Sequence, residues 1–378
     1  MARAISTWAR PLTRLVAMAV MAVVGLSAAR AQPLADALPL HLLRTGDLGV
    51  LLTVDAQVAG RNGRWLIDTG SSQTLVSPRF ADALGLVAGE SRSLASVAGV
   101  LQGADVALPA VQAGRYTRER LTAVRVDVSP ILGPLAPGID GVLGTTFFTG
   151  AVLEVDMAAA TWRLRVGNAA DAGTAAPGEP LEVVRGVPVV GLTLDGRAGR
   201  YVLDTGSAGG VVRITAGRAP LRLGRALQAQ LGGQLRAQVP VAQLGAASLG
   251  RALPAATNGF AGMALLDGCR FTIDFAAGRF AVHECLRPAL PGGYGLDLAE
   301  DAGGLVIARV YDASPAAAAG LRAGDRVTQL GVGAMPGSLP DAWVQMAAPD
   351  NLRIGIKRGN AALGQTLQRA YFLPPLDD

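Results

Sequence analysis

Gly60-Arg61-Asn62-Gly63-Arg64-Trp65-Leu66-Ile67-Asp68-Thr69-Gly70-Ser71 returns later in the chain as Gly196-Arg197-Ala198-Gly199-Arg200-Tyr201-Val202-Leu203-Asp204-Thr205-Gly206-Ser207. A second block returns with it. Gly141-Val142-Leu143-Gly144 through Val155-Asp156 matches Gly259-Phe260-Ala261-Gly262 through Ile273-Asp274 without a gap. The order of the two blocks is kept, with 76 residues from Asp to the later Gly in the first copy and 58 in the second. Self-similarity on this scale divides the chain into two related lobes, residues 36–167 and 178–286, joined by a stretch of linker composition at 168–178. Within each lobe, short apolar runs (51–58, 187–194) lead into a Gly-Arg-x-Gly-Arg turn, and a strand then ends at Asp68 or Asp204. Helical periodicity is weak apart from a segment at 77–86. The fold class is therefore mainly β.

Composition agrees with many short strands joined by tight turns. Of 378 residues half are hydrophobic and 17% charged, with 49 Gly and 22 Pro, which excludes a disordered or coiled-coil chain. The net charge of +5 comes mostly from residues 1–31, which hold Arg3, Arg10, Arg14 and Arg30 and no acid. The rest balances 30 basic against 29 acidic residues, so the footprint of a nucleic-acid partner is absent.

Residues 1–31 read as an export signal. A basic start precedes an apolar run at 15–24, and Ala29-Arg30-Ala31 offers a cleavage point before Gln32. That run is well short of the ~20 residues a spanning helix needs, and no Cys follows the cleavage point to carry a lipid. The expectation is a periplasmic or secreted protein with no stable membrane anchor after cleavage. Cys269 and Cys285 suit that compartment. Both lie eight residues from Ala277, inside an alternating pattern that reads as a hairpin, so they face each other as a cross-strand disulfide or as a pair of buried free thiols.

An Asp after an apolar strand is carried to the rim of a core, where desolvation acts on it. Gly70 and Gly206 allow close backbone approach, and the Thr and Ser hydroxyls can bond within the turn. Two such loops in homologous halves can meet at a pseudo-twofold axis and bring Asp68 and Asp204 together. Two carboxylates in contact hold one proton between them, so one can take a proton from water while the other donates to a carbonyl, without metal or cofactor. Aspartic proteases are the standard illustration of this dyad.

The doubled Asp-Thr-Gly-Ser, each copy followed by a hydrophobic-hydrophobic-Gly element, resembles the pepsin/retropepsin superfamily of aspartic peptidases. The resemblance implies a two-lobed acid-protease fold with Asp68 and Asp204 catalytic. Thr69, Gly70, Ser71, Thr205, Gly206 and Ser207 would form the supporting loops. Val142-Leu143-Gly144 and Phe260-Ala261-Gly262 would pack behind them, with Gly144 and Gly262 closing the scaffold. It also implies that Thr69 and Thr205 bond across the axis, and that a flap covers the cleft. The flap matches Ser96-Val97-Ala98-Gly99-Val100-Leu101-Gln102-Gly103, which has no aromatic, and its second-lobe counterpart is expected at Leu231-Gly232-Gly233-Gln234. Rival chemistries lack partners: His41 and His283 stand without ligand spacing, and Lys357 is the sole Lys. Asp156 and Asp274 read as turn residues rather than a second dyad.

Beyond Pro291, Gly293-Tyr294-Gly295-Leu296, Ser314-Pro315-Ala316-Ala317, Ala319-Gly320-Leu321 and Gly324-Asp325 follow in order. This succession, over residues 292–376, resembles a PDZ domain, an α/β unit. The resemblance implies that Gly293, Tyr294, Gly295 and Leu296 receive the carboxylate of a peptide ligand added as a strand. The expected function is an exported aspartic endopeptidase that recruits polypeptide substrates with this domain. The alternative is a non-catalytic envelope protein that binds peptides on the same scaffold.

Overall fold

The computed structural model describes residues 36–96, 99–167, 178–246, 253–286, 292–347 and 349–376. The export signal expected at 1–31, Val97 and Ala98 of the flap, and most of the connectors at 168–178 and 287–293 lie outside the described residues.

Each lobe grows from the repeated hairpin. Strands Val50–Val58 and Arg61–Ile67 pair with Val58 opposite Arg61, and Val187–Leu194 and Arg197–Leu203 with Leu194 opposite Arg197. The turns are therefore two residues long, Ala59-Gly60 and Asp195-Gly196, with all four residues at positive φ. This geometry matches the right-handed twist of the flanking strands. The Gly-Arg-x-Gly-Arg stretch, expected as a turn throughout, turns only at its first Gly and is strand from Arg61 or Arg197 onward. Its second glycine serves packing instead: a Cβ on Gly63 would lie 2.8 Å from the Phe80 ring.

The second strand of each hairpin then pairs in parallel with the second repeated block, Gly141–Leu143 or Gly259–Ala261. The repeat continues outward. Thr74–Val76 runs antiparallel to Gly141–Leu143 and parallel to Tyr116–Val126, as Val211–Thr215 does to Gly259–Ala261 and Gln234–Gly245. Strands Gly99–Ala113 and Arg222–Leu231 complete the correspondence.

One insertion breaks the symmetry. Between Val76 and Gly99 the first lobe has 22 residues, and between Thr215 and Arg222 the second has six. The extra residues form helix Pro78–Ala83, whose first turn is closed by the Ser77 hydroxyl accepting from the Phe80 N–H at 3.2 Å, and strand Ser91–Ser96. That strand folds back on Gly99–Ala113 with Ser96 opposite Gly99. The turn Leu231-Gly232-Gly233-Gln234 is not its counterpart. It joins Arg222–Leu231 to Gln234–Gly245 and so corresponds to Ala113-Gly114-Arg115-Tyr116, and Gly232 accepts from the Val282 N–H at 3.1 Å. Where the first lobe has its extra strand, the second is edged by the end of the chain: Arg225 donates to Pro374 O at 2.8 Å and accepts from the Leu376 N–H at 3.0 Å.

The lobes share a sheet. Ala151–Asp156 pairs with Cys269–Asp274, flanked by Thr161–Val166 and Arg279–Cys285. Trp162, Phe147, Phe148, Phe271 and Phe280 are fully buried in the core around it. Cys269 and Cys285 lie opposite each other and form a disulfide. The hairpin is not centred on Ala277 as the spacing suggests. Asp274 faces Arg279 across a four-residue loop, and an irregularity beyond Phe271 restores the cysteine register. Asp156 and Asp274 cap their turns, accepting from the N–H of Ala159 and of Ala276 and Ala277.

Five further strands, Leu296–Asp301, Gly304–Val310, Arg326–Leu330, Asn351–Arg358 and Ala361–Gln368, form a sheet in chain order with Leu296–Asp301 at one edge. Helices Pro315–Ala318 and Leu339–Ala347 accompany it over a core that includes Tyr294, Leu296, Ile307, Leu330, Met346 and Ile354. Ser314 caps the first helix through the Ala317 N–H at 3.1 Å. Trp343 packs against this core and also against the first-lobe cluster that includes Leu51, Val128 and Leu132.

Candidate active site

Both Asp loops hang from the ends of buried strands. The Asp68 N–H donates to Leu143 O at 3.0 Å, and the Asp204 N–H to Ala261 O at 2.9 Å, so each Asp is tied to the second block of its own lobe. The block then closes the loop from behind, with Thr145 N–H donating to Ser71 O and Met263 N–H to Ser207 O. Gly144 and Gly262 sit where no side chain fits: a Cβ would lie 2.0 Å from Gln73 O in one lobe and 2.5 Å from Gly209 O in the other.

Four hydrogen bonds cross the axis between the loops. Thr69 N–H donates to the Thr205 hydroxyl (2.9 Å), which donates to Ile67 O (2.8 Å). Thr205 N–H donates to the Thr69 hydroxyl (3.1 Å), which donates to Leu203 O (2.5 Å). Both threonines are fully buried, so each hydroxyl satisfies a donor and an acceptor that water cannot reach.

This arrangement brings the Asp68 and Asp204 carboxyls beside each other, each lodged against the glycine of the opposite loop. Gly70 and Gly206 make the approach possible: a Cβ on Gly70 would lie 2.4 Å from the Asp204 carboxyl carbon, and one on Gly206 2.3 Å from that of Asp68. Ser71 N–H donates to Asp68 Oδ1 (3.0 Å) and Gly206 N–H to Asp204 Oδ1 (2.9 Å), steadying both carboxylates. Burial raises both acids above the ordinary Asp range. The charge of Asp68 beside it raises Asp204 further still. Such a pair offers one basic and one acidic oxygen on the same face.

That face opens into a cleft of about 470 Å³. The hairpin of Ser91–Ser96 and Gly99–Ala113 overhangs it, contributing Arg92, Leu94, Ser96 and Leu101. Of the expected flap residues 96–103, Ser96 and Leu101 line the cleft; Val100 is two-thirds exposed. The sequence reading missed Arg185, Pro254 and Phe260 as cleft residues. Phe260 lies within the quoted second block, which the resemblance places behind the Asp loop as scaffold rather than in the cleft. Arg185 carried a signal in the repeat, since it occupies the turn that corresponds to the first lobe's 45–49.

The residues Gly293, Tyr294, Gly295 and Leu296 lie apart from the dyad. The N–H groups of Tyr294 (2.8 Å), Gly295 (2.7 Å) and Leu296 (3.4 Å) all point at one oxygen, Oδ2 of Asp47 in the first lobe. Asp47 was not singled out in the sequence, where nothing distinguishes it from a solvated turn residue.

Residues 54–147 match the family model described as aspartyl protease. Among solved structures, the chain is similar to a retropepsin-like aspartic protease from Rickettsia conorii, at 19% identity over 28% of this chain and 82% of that one, with a TM-score of 0.22. No curated protein matches. The chain is mostly β, and the matched residues span the first Asp loop and the Gly141–Leu143 block.

Proposed function

We propose that the chain is an aspartic endopeptidase. The observation that carries this reading is the meeting of Asp68 and Asp204, held by reciprocal Thr69–Thr205 hydrogen bonds at the floor of an open cleft. In the proposed reaction Asp204 holds the shared proton and Asp68 is ionised. A water between them gives a proton to Asp68 as its oxygen attacks the scissile carbonyl carbon, and Asp204 donates to the carbonyl oxygen. The tetrahedral intermediate collapses with proton transfer to the departing amine, which breaks the C–N bond and leaves a new carboxylate and a new amine. The dyad then regains its single proton.

The C-terminal five-stranded unit is read as PDZ-like. Its edge strand Leu296–Asp301 is preceded by a loop with three convergent N–H groups, which supports a role in receiving a peptide carboxylate and recruiting polypeptide substrates. Export to the periplasm or outside the cell belongs to the same proposal and is supported by the pattern of residues 1–31.

Cleavage-site mapping on a peptide library, with and without a transition-state-mimicking aspartic-peptidase inhibitor, tests the activity. Inhibitor-sensitive cleavage lost in Asp68→Asn and in Asp204→Asn is the expected result. Retention of unfolded polypeptide by the wild type without any cleavage across a wide pH range would favour a binding role instead.

A further inference from the structure

The turn that carries Asp47 has a counterpart in the other lobe. Strands Glu179–Val184 and Val187–Leu194 are joined by Arg185-Gly186, and Gly186 lies against Ser72 beside the first Asp loop. The corresponding strands His41–Arg44 and Val50–Val58 are joined by five residues, Thr45-Gly46-Asp47-Leu48-Gly49. Gly49 keeps the symmetric contact: its backbone lies against Ala208 beside the second Asp loop, and Val50 N–H donates to Ala208 O at 3.0 Å. The extra residues reach the other way and place Asp47 in the 293–296 loop.

Asp47 fits that loop closely but incompletely. A Cβ on Gly293 would lie 2.8 Å from its carboxyl carbon, so a glycine is needed there. Three backbone donors converge on Oδ2, and the Arg369 guanidinium, stacked over the Tyr294 ring at 4.9 Å, adds a favourable charge. Oδ1 is buried and accepts no hydrogen bond. Burial outweighs the donors and pushes the acid up to about 6. The loop thus holds a carboxylate that it satisfies on one side only.

We propose that Asp47 is an internal stand-in for the C-terminal carboxylate of a polypeptide. An arriving chain end would displace it from the amides of Tyr294, Gly295 and Leu296, and the freed 45–49 turn would loosen the Val50–Ala208 contact beside Asp204. The proposal rests on reading the 293–296 loop as a carboxylate receptor. The ligand class is an extended polypeptide with a free C-terminus. The turn makes the receptor and the second Asp loop parts of one mechanical element.

The test uses the full chain carrying Asp68→Asn, so that the probe is not cut. The probe is a fluorescent decapeptide ending in an apolar residue, as free acid and as amide, followed by anisotropy. Asp47→Asn and Asp47→Ala should tighten free-acid binding by about tenfold, the factor lost when a competitor holds about nine-tenths of the molecules. The amide should bind weakly throughout. Equal free-acid affinity with and without Asp47 would overturn the displacement while leaving the receptor reading intact. No preference for the acid in any variant would remove the receptor reading and the proposal with it. Hydrogen exchange on the chain that retains Asp47 guards against misfolded variants. Saturating free-acid peptide should speed exchange across 41–50, and a bound peptide that leaves that segment unchanged overturns the proposal.

Discussion

Thr69 and Thr205 each accept the other's backbone N–H through the side-chain hydroxyl, at 2.9 and 3.1 Å, and each hydroxyl donates to the strand carbonyl of the opposite lobe. The carboxylates meet because these two loops do. Replacing Thr205 with Val keeps the shape but strands the Thr69 N–H and the Ile67 carbonyl in a buried site, at about 1–3 kcal/mol for each group. Thr205→Val should lower the melting temperature by several degrees and reduce turnover, while Thr205→Ser, which keeps the hydroxyl, should recover most of both. Thermal unfolding and peptide hydrolysis on the same samples check this.

Asp68→Asn and Asp204→Asn should each lower peptide hydrolysis by at least the ~10²–10⁴-fold ascribed to positioned acid–base groups, with the fold retained by circular dichroism. Since the dyad needs one base and one acid, both substitutions should be severe. A full rate in either variant would exclude a shared site.

Stability should depend on pH through the same pair. Both acids are raised above 3.8 by burial, so the folded dyad holds protons that the unfolded chain has already lost. The native state therefore binds more protons as pH rises past the ordinary Asp value, and stability falls over that window. Asp204→Asn removes the more strongly raised group. Its stability relative to wild type should improve as pH rises past the ordinary Asp value, because the raised proton uptake of the folded state is then removed. Denaturant midpoints at four pH values measure it, and a difference that stays flat with pH would contradict the assignment.

The Cys269–Cys285 bridge closes a separation of 16 residues within the shared sheet. Reduction, or Cys269→Ser with Cys285→Ser, should cost about 3 kcal/mol by the loop-entropy estimate. Because the hairpin register is also held by Phe271 and Phe280 in the core, the variant should remain folded and active at 25 °C. Urea denaturation with and without reductant gives the number.

Much of the site was legible because it is local. Trp65-Leu66-Ile67-Asp68-Thr69-Gly70 and its repeat encode an apolar strand, a carboxylate at its end and a glycine that permits close approach. The Gly144 and Gly262 blocks return in the same order behind each Asp loop, as related lobes would keep them. The flap was half legible: the 76-against-58 spacing records an insertion, but not that six residues, 216–221, stand in the hairpin's place in the second lobe or that Pro374–Leu376 edges it there.

Sequence alone determined the mainly β character and the repeated strand-to-Asp-Thr-Gly segments, since periodicity, turn chemistry and an internal repeat are carried by neighbouring residues. Only the tertiary structure decided what lies across from what. The placing of Asp68 against Gly206 and of Asp204 against Gly70, the threonines' exchange of partners and the seat of Asp47 against Tyr294 and Gly295 join residues more than 130 positions apart. Such contacts are set by sheet pairing and core packing, and a lone acid in a turn carries no local mark of the amides it will meet.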